Sequence, residues 1–287
     1  MGGGSWTKAS YVTHSTTGRG YASMDAFNAA STQELYRSRR LESVLDPKNV
    51  IRECCDSDEH PNTVPVILAL DVTGSMGSAA SAIAKQLNDI MTGIYEKVKD
   101  VEFVVMAIGD LSYDSAPIQA SQFESDIRIA EQLEKVYFEA GGGGNQYESY
   151  TAAWYFGLRH TKLDCWNRGK KGLIITMGDE MMNPYLPKEA LARATGDTVQ
   201  GDIDTDDLYK EVIEKFDVYH IAVDDVRTSY RHHADRIKRS WGALLGDHLI
   251  IANCNSLTGV ITDIVTKHAA DNTSTFGVVA TDEGISW

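Results

Sequence analysis

Apolar residues in the middle of this chain come in continuous runs rather than in alternation. Val66-Ile67-Leu68-Ala69-Leu70 within 64–70, and the segments 101–108, 172–178, 218–223 and 248–252, each read as a strand buried on both faces, the form strands take in a parallel sheet covered by helices. Between these runs the apolar positions change to helical spacing. Ile83, Leu87, Ile90, Ile94 and Val98 predict a helix over 79–98, and Ile127, Ile129, Leu133 and Val136 predict one over most of 121–139. The segments 151–160 and 256–268 read as two more. Alternating β and α units of this kind predict an α/β fold: a doubly wound, mostly parallel sheet flanked by helices.

The ends of the chain lack that pattern. Residues 2–20 are rich in Gly, Ser and Thr, with Trp6 and Tyr11, and read as an arm that orders only against something else. Residues 22–45 predict a helix followed by a turn at Pro47. The tail is short and polar apart from 276–279, which would add an edge strand. The predicted organisation is an N-terminal extension over 1–62, an α/β domain over 63–268 and a C-terminal tail over 269–287.

The chemistry concentrates where the first strand ends. Asp71-Val72-Thr73-Gly74-Ser75 places a carboxylate and two hydroxyls at the carboxyl end of a parallel strand, where such sheets bind ligands. A hard divalent cation prefers oxygen donors of this kind, and the i, i+2, i+4 spacing lets an extended turn point all three inwards. N-capping by Thr73 or Ser75 is the plainer use of the same residues. A second apolar strand ends in Gly178-Asp179-Glu180. Four glycines, Gly141 to Gly144, precede Asn145-Gln146-Tyr147-Glu148-Ser149-Tyr150; ordering four glycines is costly, which argues for close backbone approach or mobility beside a site.

These motifs resemble the metal ion-dependent adhesion site of von Willebrand factor A (vWA) domains, whose first motif is Asp-x-Ser/Thr-x-Ser. Asp71, Thr73 and Ser75 match it, and Gly74-Ser75-Met76 with the following amphipathic helix match its usual continuation. The resemblance covers about 63–268. It makes Asp179 the third-motif acid, which usually reaches the metal through a water, and leaves Glu180 a neighbour without an assigned role. The second loop departs from the family, which usually has a Thr there. Measured back from Ala152-Ala153, that place falls near Glu148, with Asn145 and Ser149 as competitors. If Glu148 is the ligand, three carboxylates surround one ion, which then binds more tightly and demands a partner's carboxylate less strictly. The resemblance, to vWA proteins of the bacterial and phage intracellular type, implies a non-enzymatic, metal-dependent adaptor or assembly module. Its cofactor would be Mg²⁺, or Mn²⁺ or Ca²⁺, with a coordination position open to an acidic side chain of a protein partner.

A competing reading is enzymatic. Asp-Val-Thr-Gly-Ser is also similar to the Asp-x-Thr-Gly-Thr loop of part of the haloacid dehalogenase superfamily, in which Asp71 would be the nucleophile of a phosphatase or phosphotransferase. Gly178-Asp179 would imitate that superfamily's metal motif, and Lys170 or Lys171 would meet the phosphate. A third reading is a structural subunit in which a metal only staples three loops together.

Composition narrows the partners. With 41 acidic and 27 basic side chains the formal net charge is −14, which disfavours nucleic acid. Two basic segments, 37–40 and 227–239, stand out against it, the second reading as a solvated helix face. No apolar run approaches the roughly 20 residues a membrane helix needs. The start of the chain lacks both the basic and the apolar region of a signal peptide. Cys54, Cys55, Cys165 and Cys254 make neither a disulfide framework nor a zinc pair, and a cytoplasmic protein with reduced thiols is expected. The acids of 197–207 fail the EF-hand pattern and read instead as the start of a helix over 206–216 capped by Thr205.

Overall fold

The computed structural model describes residues 4–139, 141 and 147–273. Six strands make the central sheet: β1 (Val64–Asp71), β2 (Val101–Ile108), β3 (Ile118–Ala120), β4 (Gly172–Gly178), β5 (Phe216–Val223) and β6 (Leu249–Ala252). They lie in the order β6-β5-β4-β1-β2-β3, all parallel except β3, which runs antiparallel to β2. β1 and β2 pair from Val64 with Val101 to Asp71 with Ile108, and every residue of both is buried. This is the α/β architecture that the continuous apolar runs predict.

Among the described residues ten α-helices accompany the sheet: α1 (Lys8–Thr13), α2 (Met24–Ala29), α3 (Thr32–Leu35), α4 (Gly77–Tyr95), α5 (Arg128–Leu133), α6 (Ala152–Arg159), α7 (Lys188–Thr195), α8 (Thr205–Val212), α9 (Tyr230–Leu245) and α10 (Leu257–Thr273). Successive strand residues face opposite sides, so each strand feeds two cores. Val66, Leu68 and Leu70 share one with Ile83, Leu87 and Ile90 of α4 and Ile261 of α10. Ile67 and Ala69 share the other with Trp154 of α6, Leu208 of α8 and Trp241 of α9.

The N-terminal residues belong to the first core. Trp6, Tyr11, Phe27, Leu35, Tyr36 and Leu45 are all buried in it. Three hydroxyls from this segment donate to carbonyls along α4: Thr32 Oγ1 to Gly77 (2.9 Å), Tyr36 to Ala80 (2.8 Å) and Tyr11 to Ala84 (2.8 Å). Gly77, Ala80 and Ala84 lie at helical spacing on one face, and their small side chains admit the close approach. The partner against which the arm orders is thus the α/β body itself.

Local structure departs from the sequence pattern in three places. The single helix expected over 22–45 is two short ones, because Ser23 caps α2, Ser31 with Glu34 forms a capping box that opens α3, and Ala30 between them is extended. Only α5 forms within 121–139. Residues 121–124 instead complete the ladder of β2, with Ser121 N donating to Val105 O (2.9 Å) and Phe103 and Glu124 exchanging backbone bonds of 2.8 and 3.0 Å. Thr205 does not cap α8: the Asp204 carboxylate accepts from Asp206 N and Asp207 N, while the Thr205 hydroxyl turns inward to Asn183 O (2.7 Å). The basic stretch at 227–239 is helical from Tyr230, with Ile237 buried and Arg231, Lys238 and Arg239 exposed. The edge strand expected at 276–279 lies outside the described residues.

Candidate metal site

The strand order reverses between β1 and β4, since β1 leads on to β2 on one side and β4 to β5 on the other. In an open parallel sheet this reversal leaves a crevice at the carboxyl ends. Asp71 ends β1 and Asp179 directly follows β4, and the pairing of Leu70 with Met177 sets the two loops side by side.

Asp71 is fully buried. Its Oδ1 accepts from Thr73 N (2.8 Å) and Thr73 Oγ1 (2.5 Å), and its Oδ2 accepts from the Tyr150 hydroxyl (2.7 Å). Asp179, also buried, accepts at Oδ1 from Ser75 Oγ (3.1 Å) and at Oδ2 from Ser229 N (2.6 Å). Asp71, Thr73, Ser75 and Asp179 are therefore gathered at one edge. Gly74 N donates to Gly141 O (2.9 Å), which draws the start of the glycine loop to the first motif.

A short parallel pairing of Tyr147–Glu148 with Met181–Met182 carries Glu148 to the same edge. Glu148 is 5% exposed, and its Oε2 is buried with no hydrogen-bond partner among the described residues. Ser149 is committed elsewhere: its Oγ accepts from Leu111 N (3.0 Å) and its N donates to Gly109 O (3.3 Å), fixing the loop after β2. Asn145 lies outside the described residues. Of Glu148 and Ser149, Glu148 is the one with a buried side-chain oxygen that has no partner among the described residues.

The electrostatics are one-sided. Burial pushes the Glu148 carboxyl far above the usual range, and Asp71, Asp114 and Asp110 push it further. Burial and then Asp179 raise Asp71, and burial raises Asp179. No positive side chain stands among the strongest influences on these three acids. Glu180 has a second buried, unpartnered oxygen, Oε2; burial raises its carboxyl too, eased by Ser229, His233 and Arg236.

Among the described residues no three His, Cys, Asp or Glu side chains converge tightly enough to hold a metal unaided. The donor set nevertheless suits a hard cation. It is all oxygen, no positive side chain is among the strongest influences on its three acids, and one buried carboxylate oxygen has no hydrogen-bond partner among the described residues.

Tyr150 is a residue of this edge that sequence reasoning passed over. Its hydroxyl donates to Asp71 Oδ2 and accepts from Glu180 N (3.2 Å), so one side chain ties both loops. A Cβ at Gly178 would sit 2.1 Å from that hydroxyl, so only glycine fits there. A glycine just before a strand-end acid was the available signal. Ser229, whose backbone holds Asp179, left none. Tyr150→Phe is expected to cost about 1–3 kcal/mol of stability and to weaken Mg²⁺ binding, read by denaturant unfolding and calorimetry. Lost stability with unchanged affinity would place Tyr150 in the scaffold alone.

The geometry opposes a phosphatase centre. Asp71 is buried and both its oxygens accept hydrogen bonds from the protein, so neither is held free as a nucleophile. Lys170 and Lys171 precede β4, whose seven residues separate them by about 20 Å from the carboxyl edge. Lys171 Nζ there donates to Ile213 O (2.6 Å).

No protein-family model and no curated protein matches the chain. Among solved structures it is similar to the pilus adhesin SpaC from Lactobacillus rhamnosus GG, at 12% identity over 78% of this chain and 31% of that one, with a TM-score of 0.46. It is also similar to the vWF domain of the type V pili tip protein Mfa5 from Porphyromonas gingivalis, at 12% identity over 74% of this chain and 97% of that one, with a TM-score of 0.43. The SpRpn10 VWA domain gives 12% identity, 71% and 94% coverage and a TM-score of 0.39. The chain spans about a third of the length of the adhesin. At these identities and scores the likeness concerns the course of the chain and does not reach the side chains of the site.

Proposed function

We propose that the protein is a divalent-metal-dependent protein-binding module of vWA type, acting as an adaptor or assembly component. Asp71, Thr73, Ser75, Glu148 and Asp179 would hold Mg²⁺, or Mn²⁺ or Ca²⁺ in its place. The observation that carries this reading is Glu148 Oε2, buried near Asp71 with no hydrogen-bond partner among the described residues, while no positive side chain is among the strongest influences on Asp71, Glu148 or Asp179. When bound, the ion supplies that charge and a Lewis-acidic position for a partner's carboxylate. Thr73 and Ser75 orient the two aspartates through their hydroxyls, and Tyr150 fixes Asp71. With Glu148 contributing a third negative charge, the metal is held more tightly than by a hydroxyl-rich site and depends less on the partner's acid.

A net charge of −14 supports a protein rather than a nucleic-acid partner. Four unpaired thiols support a reducing, intracellular location. Among the described residues no helix is long and apolar enough to cross a membrane.

The test is calorimetry of Mg²⁺ and Mn²⁺ into chelator-treated protein, beside Asp71→Ala. Saturable binding by the intact chain, absent from the variant and without phosphatase turnover, is the expected result; no binding by the intact chain would remove the metal from the reading. Partner capture with and without Mg²⁺ then separates a gating metal from one that only staples loops. The staple raises thermal stability but leaves capture unchanged.

A further inference from the structure

The basic string Arg37-Ser38-Arg39-Arg40 takes no part in the metal edge. Ser38 forms a β-bridge with Tyr137, which lays the string beside the end of α5, and the two segments wall a cleft of about 440 Å³. Arg37 is held in place: its Nε donates to Glu34 O (3.1 Å), its Nη2 donates to Arg19 O (3.0 Å), and its guanidinium lies 5.3 Å from the centre of the Tyr21 ring. Arg19 is committed to Glu134 (3.0 Å). Arg39, Arg40 and Lys135 also line the cleft, and none of them has a side-chain hydrogen bond or ion pair among the described residues.

Arg39, Arg40 and Lys135 thus bring three uncommitted cations to one cleft, beside the anchored Arg37. Of the two carboxylates in the wall, Glu134 is already shared by Arg19 and His14, which leaves Glu42 alone against Arg37, Arg39, Arg40 and Lys135. The rest of the lining is Gly18 and Ser38, so no apolar or aromatic side chain lines the cleft. What the cleft offers is guanidinium forks, which match phosphate oxygens two at a time.

We propose that this cleft binds a small multivalent phosphate anion, a short phosphate chain either free or carried on a small molecule, through Arg39 and Arg40 with Arg37 and Lys135 in support. The site is independent of the metal edge.

The test titrates tripolyphosphate, ATP and a hexaglutamate peptide into the full chain by calorimetry at low salt. Divalent ions are removed, because phosphate chains chelate them. The variants are Arg39→Ser/Arg40→Ser and Lys135→Ser, with Asp71→Ala as the control for the metal edge. Saturable tripolyphosphate binding is expected, weakened about tenfold or more by the double substitution, eased by added salt and unchanged in Asp71→Ala. Because Arg39 and Arg40 are exposed, the double variant should melt with the parent. Equal binding of ATP assigns recognition to the phosphate chain alone, and tighter binding of ATP assigns it to phosphates carried on a small molecule; both support the site. No saturable binding, binding indifferent to the double substitution, or hexaglutamate binding tighter than tripolyphosphate would each overturn it.

Discussion

Glu148→Gln is expected to raise the stability of the metal-free protein and to weaken its hold on Mg²⁺, two effects of opposite sign from one substitution. Burial, and Asp71 after it, lift the Glu148 carboxyl above its ordinary value of 4.5, so the folded state favours the protonated form. Unfolding releases the group to ionise. The stability it contributes is therefore complete below about pH 4.5 and is lost progressively as pH rises toward the raised folded value. At pH 8 the metal-free parent carries a penalty that glutamine lacks. Relief of about 1–3 kcal/mol is expected, or roughly 2–4 °C in Tm for each kcal/mol, and the advantage should shrink at pH 5. Saturating Mg²⁺ should reverse the order, because a ligand that binds only the folded state stabilises the parent more. Thermal melts at both pH values, with and without Mg²⁺, read all four cases. A glutamine variant that is less stable at pH 8 without metal would mean that Glu148 is already compensated, and the metal reading would lose its carrier.

Deleting residues 1–45 is expected to abolish cooperative folding. The six large side chains that this segment buries, Trp6, Tyr11, Phe27, Leu35, Tyr36 and Leu45, are each worth about 1.5–3 kcal/mol. Even allowing for partial burial in the unfolded chain, their loss is on the order of 10 kcal/mol, comparable with the whole stability of a typical domain. The three α4 carbonyls would lose their hydroxyl partners as well. The truncated chain should bind a hydrophobic dye and melt without a sharp transition. A truncated chain that unfolds cooperatively within a few degrees of the parent would show that the segment is an accessory layer.

The sheet was legible because strands buried on both faces leave unbroken apolar runs: β2 occupies the predicted 101–108 and β4 the predicted 172–178. The 121–139 segment misled because its apolar spacing suits a helix, while the open edge of β2 offered residues 121–124 backbone partners that no local pattern reveals. At the site, Asp71, Thr73, Ser75 and Asp179 announced themselves by following those strands. That Ser149 is engaged with Leu111 N, a contact across 38 residues, is invisible in the sequence. Tyr150 reaches Asp71 across 79 residues, and nothing about a tyrosine in a loop declares that bond.

The position of β4 beside β1 also sets a sequence of events in time. β1 can pair with β2 as soon as α4 has been made, but its other neighbour arrives only after the glycine loop and α6 have followed. Contacts this distant along the chain form slowly. Asp179 reaches Asp71 only when β4 docks, so the proposed metal edge is absent from every earlier stage of folding. Until α4 and α5 exist, Trp6, Tyr11 and Phe27 have no surface to cover them, and a nascent chain halted before that point is exposed to aggregation. If the edge holds an ion as proposed, its acquisition is a late event, and an ion that binds only the finished edge would report that the sheet has closed.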